Sequence, residues 1–166
     1  MPVSPRRFPT LSALAPVLAL IALPSRALMA QADDSRVTRI DHAQVTAAFA
    51  KGMPLVEVGD YKIHASRRDG PGLVEIHTRD TDIAYVLEGS ATLVTGGTAV
   101  DARPTGPEEL RGSAIRGGET RRLEPGDVVV IPNAVPHWFR QVAAPFRYYV
   151  VKVRQAARPA ASEAAR

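Results

Sequence analysis

The sequence predicts an all-β protein that carries one short helix before its strands. Fourteen prolines and twelve glycines interrupt valine-rich apolar runs, a pattern typical of short strands joined by tight turns. An apolar fraction of 45% over 166 residues is ordinary for a globular protein and allows a single domain with one sizeable core. The chain has no cysteine, which excludes a disulfide framework, a thiolate metal site and a cysteine nucleophile.

Residues 1–32 have the three parts of a secretory signal peptide. Arg6 and Arg7 form a basic start, residues 11–23 are apolar, and Ala30-Gln31-Ala32 offers a cleavage site. We therefore predict export to the periplasm or the exterior, with no stable membrane association after processing. The alternative is an N-terminal membrane anchor, although the apolar run is short for a membrane span.

The net charge of +4 comes largely from this N-terminal segment. Residues 1–32 contain three arginines and no acidic residue, so the rest of the chain has 18 basic and 17 acidic residues. A nearly neutral domain gives no electrostatic reason to expect nucleic acid as a partner.

Residues 33–54 are predicted to form a helical segment. Asp41 is a suitable N-cap, Ala48 and Phe49 share one face, and Gly52 is placed to end the helix. From residue 55 the apolar period changes from helical to alternating, which predicts a β-barrel domain that extends to residue 153.

Three later segments complete the predicted organisation. Residues 60–68 alternate between apolar and polar side chains, as a strand with one solvent-exposed face would. Residues 104–118 are polar and rich in glycine and proline, which favours a long loop or loose hairpin at a pocket rim. Residues 154–166 consist mainly of alanine and arginine and are predicted to be a disordered tail.

Residues 75–89 contain the first candidate metal ligands. The segment is predicted to be a strand, a short acidic turn and a second strand closed by a glycine. Because side chains alternate between the faces of a strand, Glu75, His77 and Arg79 should share one face. If the second strand folds back beside the first, Asp82 joins that face.

A further candidate, His137, follows the rigid proline-containing bend at 132–136. Together with residues 75–82 it would supply two carboxylates and two imidazoles to one point. Ligands of these types suit a hard or borderline metal ion.

The first segment resembles the first conserved motif of the cupin superfamily, G-x5-H-x-H-x3,4-E-x6-G. Asp82 and Gly89 keep the spacing of its last two positions, with aspartate in place of glutamate. Counting back places His77 at the second histidine and Glu75 at the first. In an alternative register His77 takes the first histidine position and Arg79 the second, but only two residues then separate Arg79 from Asp82.

The second cupin motif, G-x5-P-x-G-x2-H-x3-N, is matched further along the chain. Gly126, Pro132 and His137 fall at the expected intervals, while Ala134 replaces the glycine and Gln141 the asparagine. The resemblance, to single-domain cupins of the type-2 kind, implies a jelly-roll β-barrel over roughly residues 55–153.

The resemblance also implies a site that holds one divalent metal ion through Glu75, His77, Asp82 and His137. Iron, manganese, zinc and nickel all suit these donors. Glu75 stands where the family has a histidine, so it either ligates the ion or acts as a general base beside it. Arg79 is a second catalytic candidate, because a guanidinium can bind a substrate carboxylate with two hydrogen bonds. The remaining interpretation is a barrel that has lost its metal and keeps these residues as polar interior groups.

Two functions are consistent with this resemblance. The first is an exported, metal-binding cupin that acts on a small organic substrate by dioxygenase, isomerase or lyase chemistry. The second is a non-catalytic cupin that binds a sugar or small metabolite. A homodimer formed through an exposed edge strand is a further expectation.

Overall fold

The computed structural model describes residues 35–155, so the predicted signal peptide and nearly all of the predicted tail lie outside the described residues. Within that range one helix, α1 (His42–Lys51), precedes eleven strands. They are β1 (Met53–Glu57), β2 (Tyr61–Arg68), β3 (Val74–His77), β4 (Asp80–Thr95), β5 (Thr98–Val100), β6 (Arg103–Gly106), β7 (Glu109–Gly112), β8 (Ala114–Arg116), β9 (Glu119–Leu123), β10 (Val128–Ile131) and β11 (His137–Arg154). No helix in residues 35–155 has the length and apolar character needed to cross a membrane.

The predicted helix is confirmed together with both of its end signals. The Asp41 carboxylate accepts a hydrogen bond from the backbone N–H of Gln44, whose side chain accepts one from the Asp41 N–H, each at 2.9 Å. Gly52 ends the helix in the left-handed conformation, with φ +65°. Phe49 packs edge-on against Tyr149 at 5.0 Å, so the helix covers one face of β2 and β11.

A single curled sheet contains nine of these strands, and its order along the main path is β1-β2-β11-β3-β7-β6. Strand β4 pairs with β11 on one side and with β9 and β10 on the other, while β5 and β8 form a separate pair. This architecture confirms the predicted all-β, jelly-roll fold with one short helix.

The apolar core lies on the inner face of this sheet. Ten buried side chains form one continuous cluster, named here the apolar cluster: Ala84, Val86, Ala91, Leu93, Leu123, Ile131, Phe139, Phe146, Tyr148 and Val150. Most of them come from β4 and β11, which pair over nearly their whole lengths.

Two expectations about strand pairing were wrong. Strand β3 pairs with β7 and β11, so the strand that follows it does not fold back beside it. Strand β4 also continues through Gly89, which we expected to close it. Gly89 has φ +76°, and a Cβ atom there would lie 2.3 Å from the carbonyl oxygen of Pro145. The glycine thus marks a close approach of two strands within the sheet.

Other boundaries differ by a few residues. Strand β1 begins at Met53 and β11 ends at Arg154, so the strands start two residues earlier and end one residue later than expected. The segment predicted as a loop or loose hairpin contains most of the β6–β7 hairpin and the whole of β8.

Candidate metal centre

Strand β3 places Glu75 and His77 on the same inner face. It is a short interior strand between β7 and β11, and its two polar side chains are only 9% and 8% exposed. Residue His137, the first of β11, pairs directly with Glu75. The sheet register therefore brings together residues that are 62 positions apart in the sequence.

The bend before β11 fixes His137 against β3. Within it, the backbone N–H of Ala134 donates to the carbonyl oxygen of His77 at 2.7 Å. Ala134 has φ +64°, in the left-handed region where the cupin motif has a glycine. His137 is 2% exposed.

Three potential ligand atoms converge at this point. The Oε2 atom of Glu75 lies 3.6 Å from Nε2 of His77 and 3.9 Å from Nε2 of His137. The ligand atoms of these three buried residues all lie within 4.8 Å of one another. The Oδ2 atom of Asp82 approaches the same two imidazole nitrogens, at 3.5 Å from His77 and 3.9 Å from His137. The structure thus brings all four sequence-predicted ligands together.

The imidazole of His137 is held in the form that can ligate a metal. Its Nδ1 lies 3.1 Å from the carbonyl oxygen of Val135, which can only accept, so Nδ1 carries the proton and Nε2 faces the cluster with its lone pair. Burial lowers the pKa of His137, although the nearby carboxylates of Asp82 and Glu75 oppose the change. The ring is therefore neutral near pH 7, as metal ligation requires.

The other imidazole has an unsatisfied atom. Nε2 of His77 is buried and has no hydrogen-bond partner within the described structure. A buried polar atom without a partner is costly, and a bound ion is one of the ordinary explanations for it. Since this atom faces the same point as His137 and Glu75, the residues present fit a divalent metal ion.

Two arginines neutralise Glu75. Arg68 and Arg111 both contact the Oε1 atom, at 2.5 Å and 2.8 Å, which leaves Oε2 directed at the imidazoles. Burial raises the pKa of Glu75, but contact with His77 and the two guanidinium groups outweighs it, so the pKa lies well below the ordinary range. Glu75 is therefore ionised in the folded protein.

Arg68 lies on the polar face of β2, which the alternating pattern of residues 60–68 predicted to be exposed to solvent. Its Nε donates to the hydroxyl of Tyr148 at 3.0 Å, and its guanidinium lies 4.4 Å from the centroid of the Phe139 ring. The polar face of β2 thus points into the barrel, because α1 covers the other face at Ala65, which is fully buried. Alternation along residues 60–68 predicted the two faces correctly but assigned the wrong one to solvent.

Asp82 forms an ion pair with Lys152, which was not among the site residues predicted from the sequence. Lys152 lies directly opposite Asp82 in the β11–β4 register, and its Nζ is 2.7 Å from each carboxylate oxygen. Both side chains are largely buried, at 15% and 10% exposed. The alternation that places Tyr148 and Val150 inside the barrel also places Lys152 there, and that signal could have identified it.

Arg79 does not reach the cluster. Its Nε donates to the carbonyl oxygen of Gln155 at 3.1 Å, and Nη1 lies 3.9 Å from Glu108. The alternation that placed Arg79 beside His77 does not hold, because β3 ends at His77. Among residues 35–155, the arginines that contact the cluster are Arg68 and Arg111.

A groove of about 700 Å³ lies along β9 and β10, and none of the four candidate ligands, Glu75, His77, Asp82 and His137, lines it. Its lining includes the apolar residues Val128 to Ile131 and two arginines, Arg121 and Arg122. The candidate metal centre and this groove are therefore separate features of the structure.

The chain aligns with several solved structures. A protein from Bacillus halodurans aligns with a TM-score of 0.52 and 13% identity, covering 76% of this chain and 87% of that chain. A hydroquinone 1,2-dioxygenase from Sphingomonas sp. TTNP3 aligns with a TM-score of 0.48 and 13% identity over 74% of this chain and 81% of that one. The DMSP lyase DddQ from Ruegeria pomeroyi gives a TM-score of 0.44 and 19% identity over 71% and 54%, respectively. At these identities the likeness concerns the fold alone.

A search of curated proteins found no match. The cupin family model, in contrast, matches residues 29–159. This match spans most of the chain and includes both segments that carry the candidate ligands. The chain belongs to the cupin family.

Proposed function

We propose that this protein is a metal-dependent cupin that holds one divalent ion at the Glu75, His77 and His137 cluster, with Asp82 beside it, and acts on a small organic substrate. One observation carries the proposal. The Nε2 atoms of the two histidines and Oε2 of Glu75 converge in a buried position, and Nε2 of His77 has no hydrogen-bond partner among residues 35–155.

The donor atoms are compatible with several divalent transition metals and do not distinguish among them. Two imidazoles and one or two carboxylates suit iron(II), manganese(II), zinc and nickel(II) alike. Such an ion would act as a Lewis acid for an oxygen-bearing substrate. The same donor set serves dioxygenase, isomerase and lyase chemistry, and we propose one of these three classes.

The protein's own residues would hold the ion and orient the substrate. Oε2 of Glu75 faces the imidazoles and is ionised, so it can ligate the ion, whereas its lowered pKa makes it a weak proton acceptor. Arg111 has a side chain that is 32% exposed while it contacts Glu75, which suits it to meet an anionic group of a substrate. We assign to Arg111 the anion-binding role that the sequence suggested for Arg79.

A second candidate function, non-catalytic binding of a sugar or small metabolite, is favoured by a separate observation. Each carboxylate already has a cationic partner in the described structure: Arg68 and Arg111 for Glu75, and Lys152 for Asp82. A cluster whose charges are balanced by the protein can remain buried without an ion.

Metal analysis of the purified protein separates the two functions. We expect about one divalent ion per chain in the wild type and its loss in His77→Ala and His137→Ala, because each removes a converging nitrogen. His42→Ala is the matched control, since His42 is exposed on α1. If the wild type binds no stoichiometric divalent ion under any loading condition, the metal-dependent function is refuted and the binding function remains.

Export and dimerisation are also parts of the proposal. Residues 1–32 support export, which N-terminal sequencing of the mature protein tests by locating the cleavage site.

A homodimer is supported by the outer face of β4 and β10, where Tyr85, Val128 and Val130 are 46%, 62% and 56% exposed. Val130→Lys should then convert a dimer to a monomer in sedimentation analysis, and a wild-type monomer would refute the dimer.

A further inference from the structure

We propose that Lys152 is a positioning residue that holds the Asp82 carboxylate out of the coordination sphere. The ion then has Glu75, His77 and His137 as its protein ligands. This inference rests on the proposed metal centre and specifies which of the four candidate residues ligate. It departs from the four-ligand set that the sequence resemblance implies.

The two carboxylates of the cluster are bound to their cations in different ways. Arg68 and Arg111 both contact Oε1 of Glu75, so its Oε2 remains free to face the imidazoles. Lys152 instead contacts both oxygens of Asp82, each at 2.7 Å. Glu75 therefore presents an oxygen without a cationic partner, and Asp82 does not.

The position of Lys152 is set by the sheet rather than by a flexible surface contact. It lies in the interior of β11, where it pairs with Lys62 of β2 on one side and with Asp82 of β4 on the other. Its side chain is only 15% exposed, so separation from Asp82 would leave an unpaired charge in a poorly solvated position. The Lys152–Asp82 pair should consequently persist when an ion binds nearby.

Electrostatics favour the same ligand set. The ammonium group of Lys152 contacts both oxygens of Asp82 and so reduces the negative charge that either oxygen offers to an ion, whereas the guanidinium groups of Arg68 and Arg111 contact only Oε1 of Glu75. Three protein ligands would leave the remaining coordination positions to water or substrate, as catalytic metal sites require. Lys152 would thus keep the site open by withholding a fourth protein ligand.

Lys152→Met tests this inference, because methionine keeps the length of the side chain and removes its charge. We expect Asp82 to become available as a ligand and the affinity for Mn²⁺ or Zn²⁺, measured by titration calorimetry, to rise by about tenfold or more. Lys62→Met is the matched control. Lys62 lies beside Lys152 across the β2–β11 pairing but contacts Glu57 and Asp80, at 3.3 Å and 3.8 Å.

Affinity alone does not identify the ligand, since removing any nearby positive charge strengthens cation binding. The visible absorption spectrum of the Co²⁺-loaded protein responds to the number and type of ligands and supplies the second measurement. We expect Asp82→Asn to leave the wild-type Co²⁺ spectrum unchanged. In the Lys152→Met background, which should have an altered spectrum, Asp82→Asn should restore the wild-type spectrum. Lys62→Met should show no spectral change.

Two results would overturn the inference. One is a wild-type Co²⁺ spectrum that changes on Asp82→Asn as strongly as on Glu75→Gln, which would make Asp82 a ligand despite Lys152. The other is a Lys152→Met spectrum identical to that of the wild type. Thermal unfolding of each variant identifies any variant that is not folded, and the single Asp82→Asn variant decides the question if Lys152→Met does not fold.

Failure of this inference is distinct from failure of the proposed function. If the wild type binds metal but the Lys152 and Asp82 variants behave as the overturning results describe, the metal centre stands and the inference falls. If the wild type binds none and Lys152→Met binds one ion through Asp82, the proposed function falls and the inference falls with it, because Lys152 then blocks the site instead of withholding one ligand from it. Absence of binding in both proteins refutes both.

Discussion

Strands β4 and β11 contribute to two clusters in the barrel interior. One is the apolar cluster, and the other, named here the polar cluster, consists of Glu75, His77, Asp82 and His137 with the cationic partners Arg68 and Lys152. On β4, Asp82 and Val86 lie on the same inner face only four residues apart. On β11, Lys152 follows Val150 at the same two-residue interval that separates His137 from Phe139. Neighbouring positions of one strand therefore meet two different physical requirements.

The two clusters are stabilised in different ways. The apolar cluster needs only side chains of suitable volume, because burial and packing supply its free energy. The polar cluster needs each buried charge to have a partner, which Arg68 provides for Glu75 and Lys152 for Asp82. Within the described structure, Nε2 of His77 lacks such a partner, and this is the position at which a ligand would add stability. Substitutions in the apolar cluster should thus change stability, and substitutions in the polar cluster should change binding.

Phe146→Ala should give the largest effect in this comparison. Phe146 is fully buried, and its ring centroid lies 5.7 Å from that of Phe139 and 5.1 Å from that of Tyr148. Loss of this ring should reduce the free energy of unfolding by about 3–5 kcal/mol, measured by denaturant titration of tryptophan fluorescence. The metal content per folded chain should remain that of the wild type.

Val37→Ala is the control for that substitution, because Val37 is fully exposed and lies outside the proposed dimer face. It should change the free energy of unfolding by less than about 0.5 kcal/mol. If Phe146→Ala abolishes metal binding while the protein remains folded, the two clusters are coupled and the separation drawn here is wrong.

The sequence was most informative where a local signal determines a local structure. Asp41 and Gly52 mark the ends of α1 through hydrogen bonds that involve only their near neighbours. The interval between Gly126 and His137 placed the bend that carries the second histidine. Such features depend on short stretches of chain and can be read without knowing how the strands pair.

The cationic partners of the site depend on tertiary structure and were harder to predict. A charged residue in an alternating strand is usually taken to face solvent, as the polar face of residues 60–68 was. Whether that face is inside or outside depends on what covers the opposite one, and here α1 covers Ala65. Arg68 and Lys152 therefore became recognisable as site residues only from the strand register.

The pH dependence of stability should report on two histidines, the buried His137 and the half-buried His64. Burial lowers the pKa of both His137 and His64 below the ordinary value of 6.5. The unfolded chain then binds protons more readily, so the metal-free protein should be fully stabilised by these neutral rings above pH 6.5 and lose that stability as the pH falls below it. Burial and Lys152 lower the pKa of His64, whereas Asp82 and Glu75 partly oppose the change at His137.

Single variants separate these contributions when unfolding is measured at several pH values in the presence of a chelator. His137→Asn and His64→Asn should each reduce the slope of stability against pH between about 4.5 and 6.5, the range above ordinary carboxyl titration. The lowered pKa of Glu75 acts in the same direction at lower pH, since its stabilisation is complete above the ordinary value of 4.5 and declines below it. A stability that is independent of pH between 4.5 and 6.5 would contradict the assignment of neutral imidazoles at His137 and His64.

The smallest effect is expected at Ala134, whose backbone N–H donates a hydrogen bond to the carbonyl oxygen of His77. Ala134 has φ +64°, where an L side chain is strained by about 1–2 kcal/mol, and its side chain is exposed. Ala134→Gly relieves that strain but gives the unfolded chain more freedom, so the net gain in the free energy of unfolding should be at most about 1 kcal/mol.

Ala134→Val is the opposite test: a β-branched side chain tolerates this conformation poorly and should lower both stability and metal affinity. The affinity should fall because the N–H of residue 134 donates to the carbonyl oxygen of His77, so a shifted bend displaces a proposed ligand. If the glycine variant is less stable than the wild type by more than about 1 kcal/mol, the left-handed backbone at 134 is not a source of strain and the account of this bend is wrong.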